Sequence, residues 1–275
     1  MPAEPVPPVA ESSARPRDFV QSLERGLAII RVFSAERPSL TVTEIAESTG
    51  LTRAASRRFL LTLVELGYVA TDGRYYELTP RVLELGYAFL SGLSFPEVAL
   101  PRLERLVGDV GEASEAAILD GSEIVYVVRV PGPALMTISV NIGARMPAHA
   151  TAMGRVLLAG LDDAQLDEQL AGIELQPIQP RTIVDRALLR EEIMRIRQQG
   201  WALVDQELEE GLVAIAVPVR DRSGRVTAAI NLSTHVGRRS AKELLEILPD
   251  LQRTAAEIEG DLAVSTASSN RRMRI

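Results

Sequence analysis

Leu40–Leu78 reads LTVTEIAESTGLTRAASRRFLLTLVELGYVATDGRYYEL, and its punctuation decides the fold of the N-terminal part of the chain. Thr41 or Thr43 is placed to cap a short helix over Glu44–Ser48, anchored by Ile45. Gly50 supplies a turn. Thr52 can cap a further helix running to about Leu66, with Gly67 as its C-terminal stop. Two β-prone runs follow, Tyr68-Val69-Ala70 and Tyr75–Leu78, and the Asp72-Gly73 pair between them is a hairpin signal. Upstream, Leu23, Leu27, Ile30 and Phe33 recur at helical spacing, and Pro38 is expected to end that first helix. The order is helix, helix, turn, helix, hairpin. It describes a winged helix-turn-helix over residues 17–79.

The third helix of this unit has two kinds of face. Ala55, Phe59, Leu63 and Leu66 are expected to pack inward. Arg53 and Arg57 lie four apart and point outward together, with Arg58 about 100° further round. Paired arginines suit guanine edges in a major groove or backbone phosphates. Thr52 and Ser56 can bond phosphate oxygens, Thr43 joins the DNA-facing set, and Arg74 and Tyr75 on the wing can touch the backbone or minor groove. Alone, TRAASRR reads first as a solvated helical face. Within this order of elements it points to DNA. Residues 15–80 hold nine arginines and eight acids, a weak electrostatic footprint. Affinity should therefore need a dimer or higher assembly, each copy adding phosphate contacts.

Composition narrows what the rest can be. At 275 residues with 46% hydrophobic and 24% charged side chains, the chain has ample core for about two domains. Cysteine is absent. That excludes disulfides, cysteine-ligated metals and thiol nucleophiles. His149 and His235 are the only histidines, so a three-histidine metal site is impossible within one chain. Lys242 is the only lysine, and no phosphate-binding GxxxxGK[ST] loop can be built. GxGxxG, HExxH and GxSxG are also missing. No metal or cofactor is expected. The net charge of −7 argues against a uniformly basic coat for nucleic acid. No apolar run is long enough to span a membrane, and the opening residues lack a signal-peptide core. A cytoplasmic protein is expected.

Residues 1–16 read as a disordered lead and 265–275 as a flexible tail. Residues 80–95, PRVLELGYAFLSGLSF, are apolar on more than one side of a helix. A helix so placed between domains is expected to be covered by a second copy of itself, as a linker and dimerisation helix. Residues 96–264 alternate between helix and strand. Helices are expected at Val98–Val110, from Ala150 or Thr151 to Gly160, at Asp162–Leu170, Arg186–Gln199 and Ser240–Leu262. Strands are expected at Glu115–Leu119, Ile124–Val130, Met136–Asn141, Ala202–Asp205, Leu212–Val219 and Val226–Ser233. The fold class is α+β, with a mainly antiparallel sheet flanked by helices.

Three separated stretches, in order, carry a resemblance. They are QSLERGLAIIRVF with LTVTEIAESTGLTRAASRRFLLTLVELGYV, then MPAHATAMGRVLLA, then GWALVDQELEEGLVAIAVPVRD leading into GRVTAAINLS. The chain resembles the IclR-type bacterial transcriptional regulators across nearly all of residues 18–262. The resemblance implies a winged helix-turn-helix and a GAF-like effector domain, in dimers often paired into tetramers. It implies an effector that is a small organic acid, its anion meeting the backbone amides of Ala152, Met153 and Gly154. A helix N-terminus is a physically sound anion site. Asn231 and Ser233 fall where strand residues of the family bond the ligand, and Val204 and Ala214 fall at pocket positions that are polar in some relatives. His149 either bonds an effector carboxylate or caps the helix. Arg129 either pairs with the carboxylate or projects into solvent. Asp205, Glu207 and Glu209 would lie near the rim. Met136, Met146 and Met153 could line apolar walls or be plain core.

Within the family, VRVPGPALMTISVNIGARMPAHATAMGRVLLA and LVDQELEEGL are most similar to regulators of aromatic-acid breakdown. These imply an aromatic acid or a dicarboxylate of the β-ketoadipate pathway as effector. Two other readings compete. One is an enzyme with an accessory helix-turn-helix, using His149 with Glu207 or Asp205, although the sequence sets no nucleophile beside them. The other is a DNA-binding interaction protein without a small ligand.

Overall fold

The computed structural model describes residues 18–86, 94–132 and 141–272. It divides into two compact units, residues 1–92 and 93–275. Each has its own core.

In the first unit, α1 (Gln21–Ile30), α2 (Val42–Thr49) and α3 (Arg53–Glu65) pack with a small sheet. That sheet holds β1 (Ser39–Thr41), β2 (Val69–Thr71) and β3 (Tyr75–Leu78) in the order β1-β3-β2, all antiparallel. Thr41 rather than Thr43 caps α2. Its hydroxyl accepts the Glu44 N–H while Glu44 reaches back to the Thr41 N–H, a reciprocal box. Thr52 caps α3 through the Ala55 N–H. At the wing tip the Asp72 carboxylate accepts the Arg74 and Tyr75 N–H groups, and Gly73 takes the positive φ that the turn requires. The core joins Ile29, Val32, Leu40, Ile45, Leu60, Leu63, Val69 and Tyr76.

Three expectations for this unit need correction. The first helix ends at Ile30, eight residues before Pro38, so Pro38 is not its stop. Strand β1 was not expected. The inward stripe of α3 is Ser56, Leu60 and Leu63, while Leu66 is half exposed. The stripe is turned by about one residue from the expected one, because i, i+4, i+7 from Ser56 also fits a helix period. Of the expected linker helix, Pro80–Val82 form a 3₁₀ turn and residues 83–86 are helical. Residues 87–93 lie outside the described residues.

Among the described residues, the second unit is one six-stranded antiparallel sheet with helices on both faces. The strands are β4 (Ser114–Asp120), β5 (Glu123–Val130), β6 (Arg145–Pro147), β7 (Ala202–Asp205), β8 (Leu212–Arg220) and β9 (Val226–His235), ordered β6-β5-β4-β9-β8-β7. The helices are α4 (Ser94–Val110), α5 (Ala152–Ala159), α6 (Asp163–Gly172), α7 (Arg186–Gln199), α8 (Ala241–Glu246) and α9 (Leu248–Arg272). Alternation along the strands separates two cores. Val213, Ile215, Val217 and Val219 of β8 face α4 and α9 with Ile230 and Leu232 of β9. Ala216 and Ala229 face α5 and α7 with Ala202 and Val204.

Asp185 caps α7 and Gly200 takes the left-handed turn that ends it, which is why its bounds match the expected ones. The expected single helix over Ser240–Leu262 is two helices that meet at Ile247, because Pro249 can only enter a helix within its first turn. Helix α9 continues to Arg272, into the expected tail, where neither Gly nor Pro intervenes. Met136, and most of the strand expected at Met136–Asn141, lie outside the described residues. The Arg145–Pro147 strand at the sheet edge was not expected.

Candidate functional site

A cavity opens where the N-terminus of α5 meets the sheet. It is lined by Glu115, Tyr126, Ala150, Thr151, Ala152, Met153, Val204, Leu208, Leu212, Ala214, Asn231 and Ser233, and holds about 50 Å³ of free volume. The strand register explains the set. Ala214 pairs with Ser233, Ala216 with Asn231, and Val204 with Ala214, so Val204, Ala214, Asn231 and Ser233 share the α5 face. Glu115 joins them by plain alternation with Ala117 along β4, and Tyr126 through an irregularity. A bulge between Ala116 and Ala117 lets Val127 slip out of pairing, so that Ala116 pairs with Val128 and Ala117 with Tyr126. Tyr126 and Arg129 consequently lie on the same face, which strict alternation forbids for residues three apart.

The roof is the start of α5. A 3₁₀ turn, Ala148–Ala150, leads into Thr151, whose hydroxyl accepts the Gly154 N–H and donates to the Pro147 carbonyl. The amides of Ala152 and Met153 have no acceptor within their own helix. Gly154 is required by packing. A Cβ there would sit 2.3 Å from the Ala148 carbonyl oxygen, inside any allowed contact. The same close packing removes Gly154 from the expected anion site. Its N–H is spent on Thr151, and it does not line the cavity.

The polar floor is wired together. The Glu115 N–H donates to Asn231 Oδ1 at 2.7 Å, Ser114 Oγ donates to the Asn231 carbonyl, and Ser233 Oγ donates to Glu115 Oε2 at 3.2 Å. Glu115 is only 7% exposed. Burial pushes its carboxyl above the usual range, while hydrogen bonds from Asn231 and Ser233 and the charge of Arg129 pull in the opposite direction. Burial and the nearby Glu115 charge hold the Tyr126 phenol up in turn, so it stays a protonated donor.

His149 and Arg129 do not line the cavity. His149 is buried with Nε2 3.3 Å from the Gln176 carbonyl oxygen. It neither caps α5, which Thr151 does, nor meets the cavity. Arg129 stands opposite Glu115 in the β4–β5 pairing, partly exposed at the side. The imagined acid–base pair of His149 with Glu207 or Asp205 is not assembled. Glu207 is taken by Arg155, and Asp205 by Arg181.

In the first unit, Arg53, Arg57 and Arg58 are exposed on α3 and have no ion-pair partner among the described residues. Thr52 is exposed at the head of the helix, and Thr43 is partly exposed on α2. Arg74 is exposed at the wing tip with its guanidinium 5.2 Å from the Tyr75 ring centroid. Ser56 must be struck from this surface. It is 0% exposed and faces the core, so it cannot reach a phosphate.

Residues 22–73 match the IclR helix-turn-helix domain, and residues 87–260 match the bacterial transcriptional regulator IclR C-terminal domain. The chain belongs to the IclR family of bacterial transcriptional regulators. Among IclR relatives, the Pca regulon regulatory protein of Pseudomonas putida is 44% identical over 246 residues, covering 86% of this chain and 84% of its own. A crystal structure of a transcriptional regulator from Rhodococcus sp. RHA1 superposes with a TM-score of 0.80 at 52% identity, covering 90% of this chain and all of that one. An IclR homologue from Microbacterium hydrocarbonoxydans, complexed with 4-hydroxybenzoate, gives a TM-score of 0.78 at 25% identity, covering 88% and 99%. Membership makes the protein a regulator and not an enzyme.

Of the ten residues the sequence assigned to the IclR effector site, Ala152, Met153, Val204, Ala214, Asn231 and Ser233 come together in the cavity. Glu115, Tyr126, Ala150, Thr151, Leu208 and Leu212 were missed. Thr151 was legible as a cap. Glu115 was not, because a charged side chain is not expected indoors, and Tyr126 was not, because its place depends on the bulge.

Proposed function

We propose that this IclR regulator binds operator DNA under control of a small aromatic carboxylic acid held in the cavity at the head of α5. One observation carries the reading. The opening amides of α5 share a cavity with an apolar wall of Met153, Val204, Leu208, Leu212 and Ala214. Amides at a helix start attract a carboxylate, and the wall suits a ring. The 4-hydroxybenzoate held by the Microbacterium homologue supports a ring-bearing acid.

A cavity of about 150 Å³ admits benzene in other proteins, and this one has about 50 Å³. An aromatic acid therefore enters only as the wall gives way. Met153 and Leu208 are the adaptable pieces, one an unbranched thioether and the other on the loop before β8.

On the DNA side, α3 enters the major groove with Arg53, Arg57 and Arg58, supported by Thr43 and Thr52, while Arg74 and Tyr75 of the wing meet the backbone. A homodimer, or a dimer of dimers, supplies the two-fold reading heads, with residues 80–95 as the linker between DNA-binding and effector domains. The protein works in the cytoplasm, where its operator is.

Thermal unfolding against protocatechuate, 4-hydroxybenzoate, β-ketoadipate, pyruvate and glyoxylate tests the effector. A ligand at a hundred times its Kd adds about 2.7 kcal/mol. A concentration-dependent rise in Tm with an aromatic acid is expected. A rise confined to the aliphatic acids overturns the aromatic assignment, and no rise with any compound overturns the effector reading.

A further inference from the structure

We propose that Glu115 is a specificity-determining residue of the effector cavity, selecting an acid whose far end is a hydrogen-bond donor, such as a phenolic hydroxyl, over one ending in a second carboxylate. The proposal rests on the reading of this cavity as the effector site.

The cavity has two unlike polar ends. At the roof are the amides that open α5, which attract negative charge. At the floor is a buried carboxyl group, Glu115, held in place from several directions. Its own N–H is fixed by Asn231 Oδ1 at 2.7 Å, and its Oε2 receives Ser233 Oγ–H at 3.2 Å. Its strand neighbour across the pairing is Arg129. Burial and the Ser233 bond keep its carboxyl at the cavity wall.

This wiring changes the roles of its partners. The Asn231 oxygen is spent on the Glu115 backbone and the Ser233 hydroxyl on the Glu115 carboxyl. The acceptor left facing the cavity is the carboxyl of Glu115, with the protonated Tyr126 phenol on the same face. A carboxyl oxygen in a low-dielectric wall accepts a strong hydrogen bond from a neutral donor, stronger still when the group is ionised. When ionised, the form that the Asn231 and Ser233 hydrogen bonds and the Arg129 charge favour against burial, it repels a second anion with little solvent screening. An unsubstituted ring would leave the buried group without a new partner, which sites built to bond a hydroxyl penalise heavily. Together these favour a hydroxy-substituted monocarboxylate over both the bare ring acid and the dicarboxylate.

Isothermal titration of the full-length protein and of Glu115→Gln with 4-hydroxybenzoate, benzoate and terephthalate tests this. Glutamine keeps the size and the capacity to accept from Ser233 while removing the charge. Wild type should bind 4-hydroxybenzoate at least tenfold tighter than either other compound. In Glu115→Gln the preference over terephthalate should collapse by at least tenfold, with terephthalate gaining affinity. Wild type that binds terephthalate as tightly as 4-hydroxybenzoate overturns the proposal without recourse to the variant. So does an unchanged ratio in the variant, although the cavity then remains the effector site. Absence of binding by all three compounds to wild type overturns the reading of the site and the proposal with it.

Discussion

Arg155, 1% exposed in the interior of α5, grips Glu207 in a two-pronged ion pair. The guanidinium also donates through Nε to the His149 carbonyl at 2.7 Å, and Glu207 Oε2 accepts the Ile183 N–H at 3.1 Å. Thr182 Oγ1 adds a bond to the Glu207 carbonyl. One buried pair thus ties the roof helix of the cavity to the β7–β8 loop that carries Leu208.

Removing one partner leaves the other charged and buried. Arg155→Met or Glu207→Leu alone should cost about 3–5 kcal/mol, read as a shift in denaturant midpoint. The double variant should recover much of that loss, since an apolar pair can replace a buried ion pair. Single losses under about 1 kcal/mol, or fully additive ones, would show the pair to be incidental.

The two faces of α3 predict opposite outcomes for adjacent residues. Ser56 Oγ is buried without a hydrogen-bond partner. Ser56→Ala should leave operator affinity unchanged and raise stability by about 1 kcal/mol. Arg57→Ala should leave stability unchanged and weaken operator binding. A base contact would appear as a loss of about 1–3 kcal/mol at one operator position, and a phosphate contact as uniform weakening with a shallower salt dependence. Reduced DNA binding by Ser56→Ala in a folded protein would contradict the assigned face.

His149 gives the protein a pH dependence of known sign. Burial, first, and the charge of Arg155 lower its pKa from the ordinary 6.5. The unfolded chain therefore takes up the proton before the folded one. The His149 contribution is complete above about pH 6.5 and is lost as pH falls through the folded value. Tm measured from pH 7.5 to 5 should fall less steeply for His149→Gln than for wild type. Equal slopes would place His149 in water.

Periodicity and punctuation made most of the architecture legible. Asp185 and Gly200 bracket α7 so plainly that sequence and structure agree on both ends. Strand β1 escaped because its three residues also carry the cap of α2. The two-helix C-terminus escaped because Leu244, Leu248 and Leu251 keep a helical stripe straight through the break before Pro249. The cavity at the head of α5 was half legible. Asn231, Ser233, Val204 and Ala214 follow from strand alternation once the family is recognised. Glu115 and Arg155 are charges placed indoors, and a sequence pattern reveals a period, not a partner. Tyr126 depended on a bulge that leaves no composition signal.

Occupancy of the cavity is expected to be coupled to operator binding. Operator affinity measured at fixed salt, with and without the acid that raises Tm most, checks this. Coupling of about 1–3 kcal/mol corresponds to a change of about 5- to 150-fold in Kd. A change within that range, in either direction, is the expected result. An acid that saturates the cavity and leaves operator affinity the same would contradict that coupling.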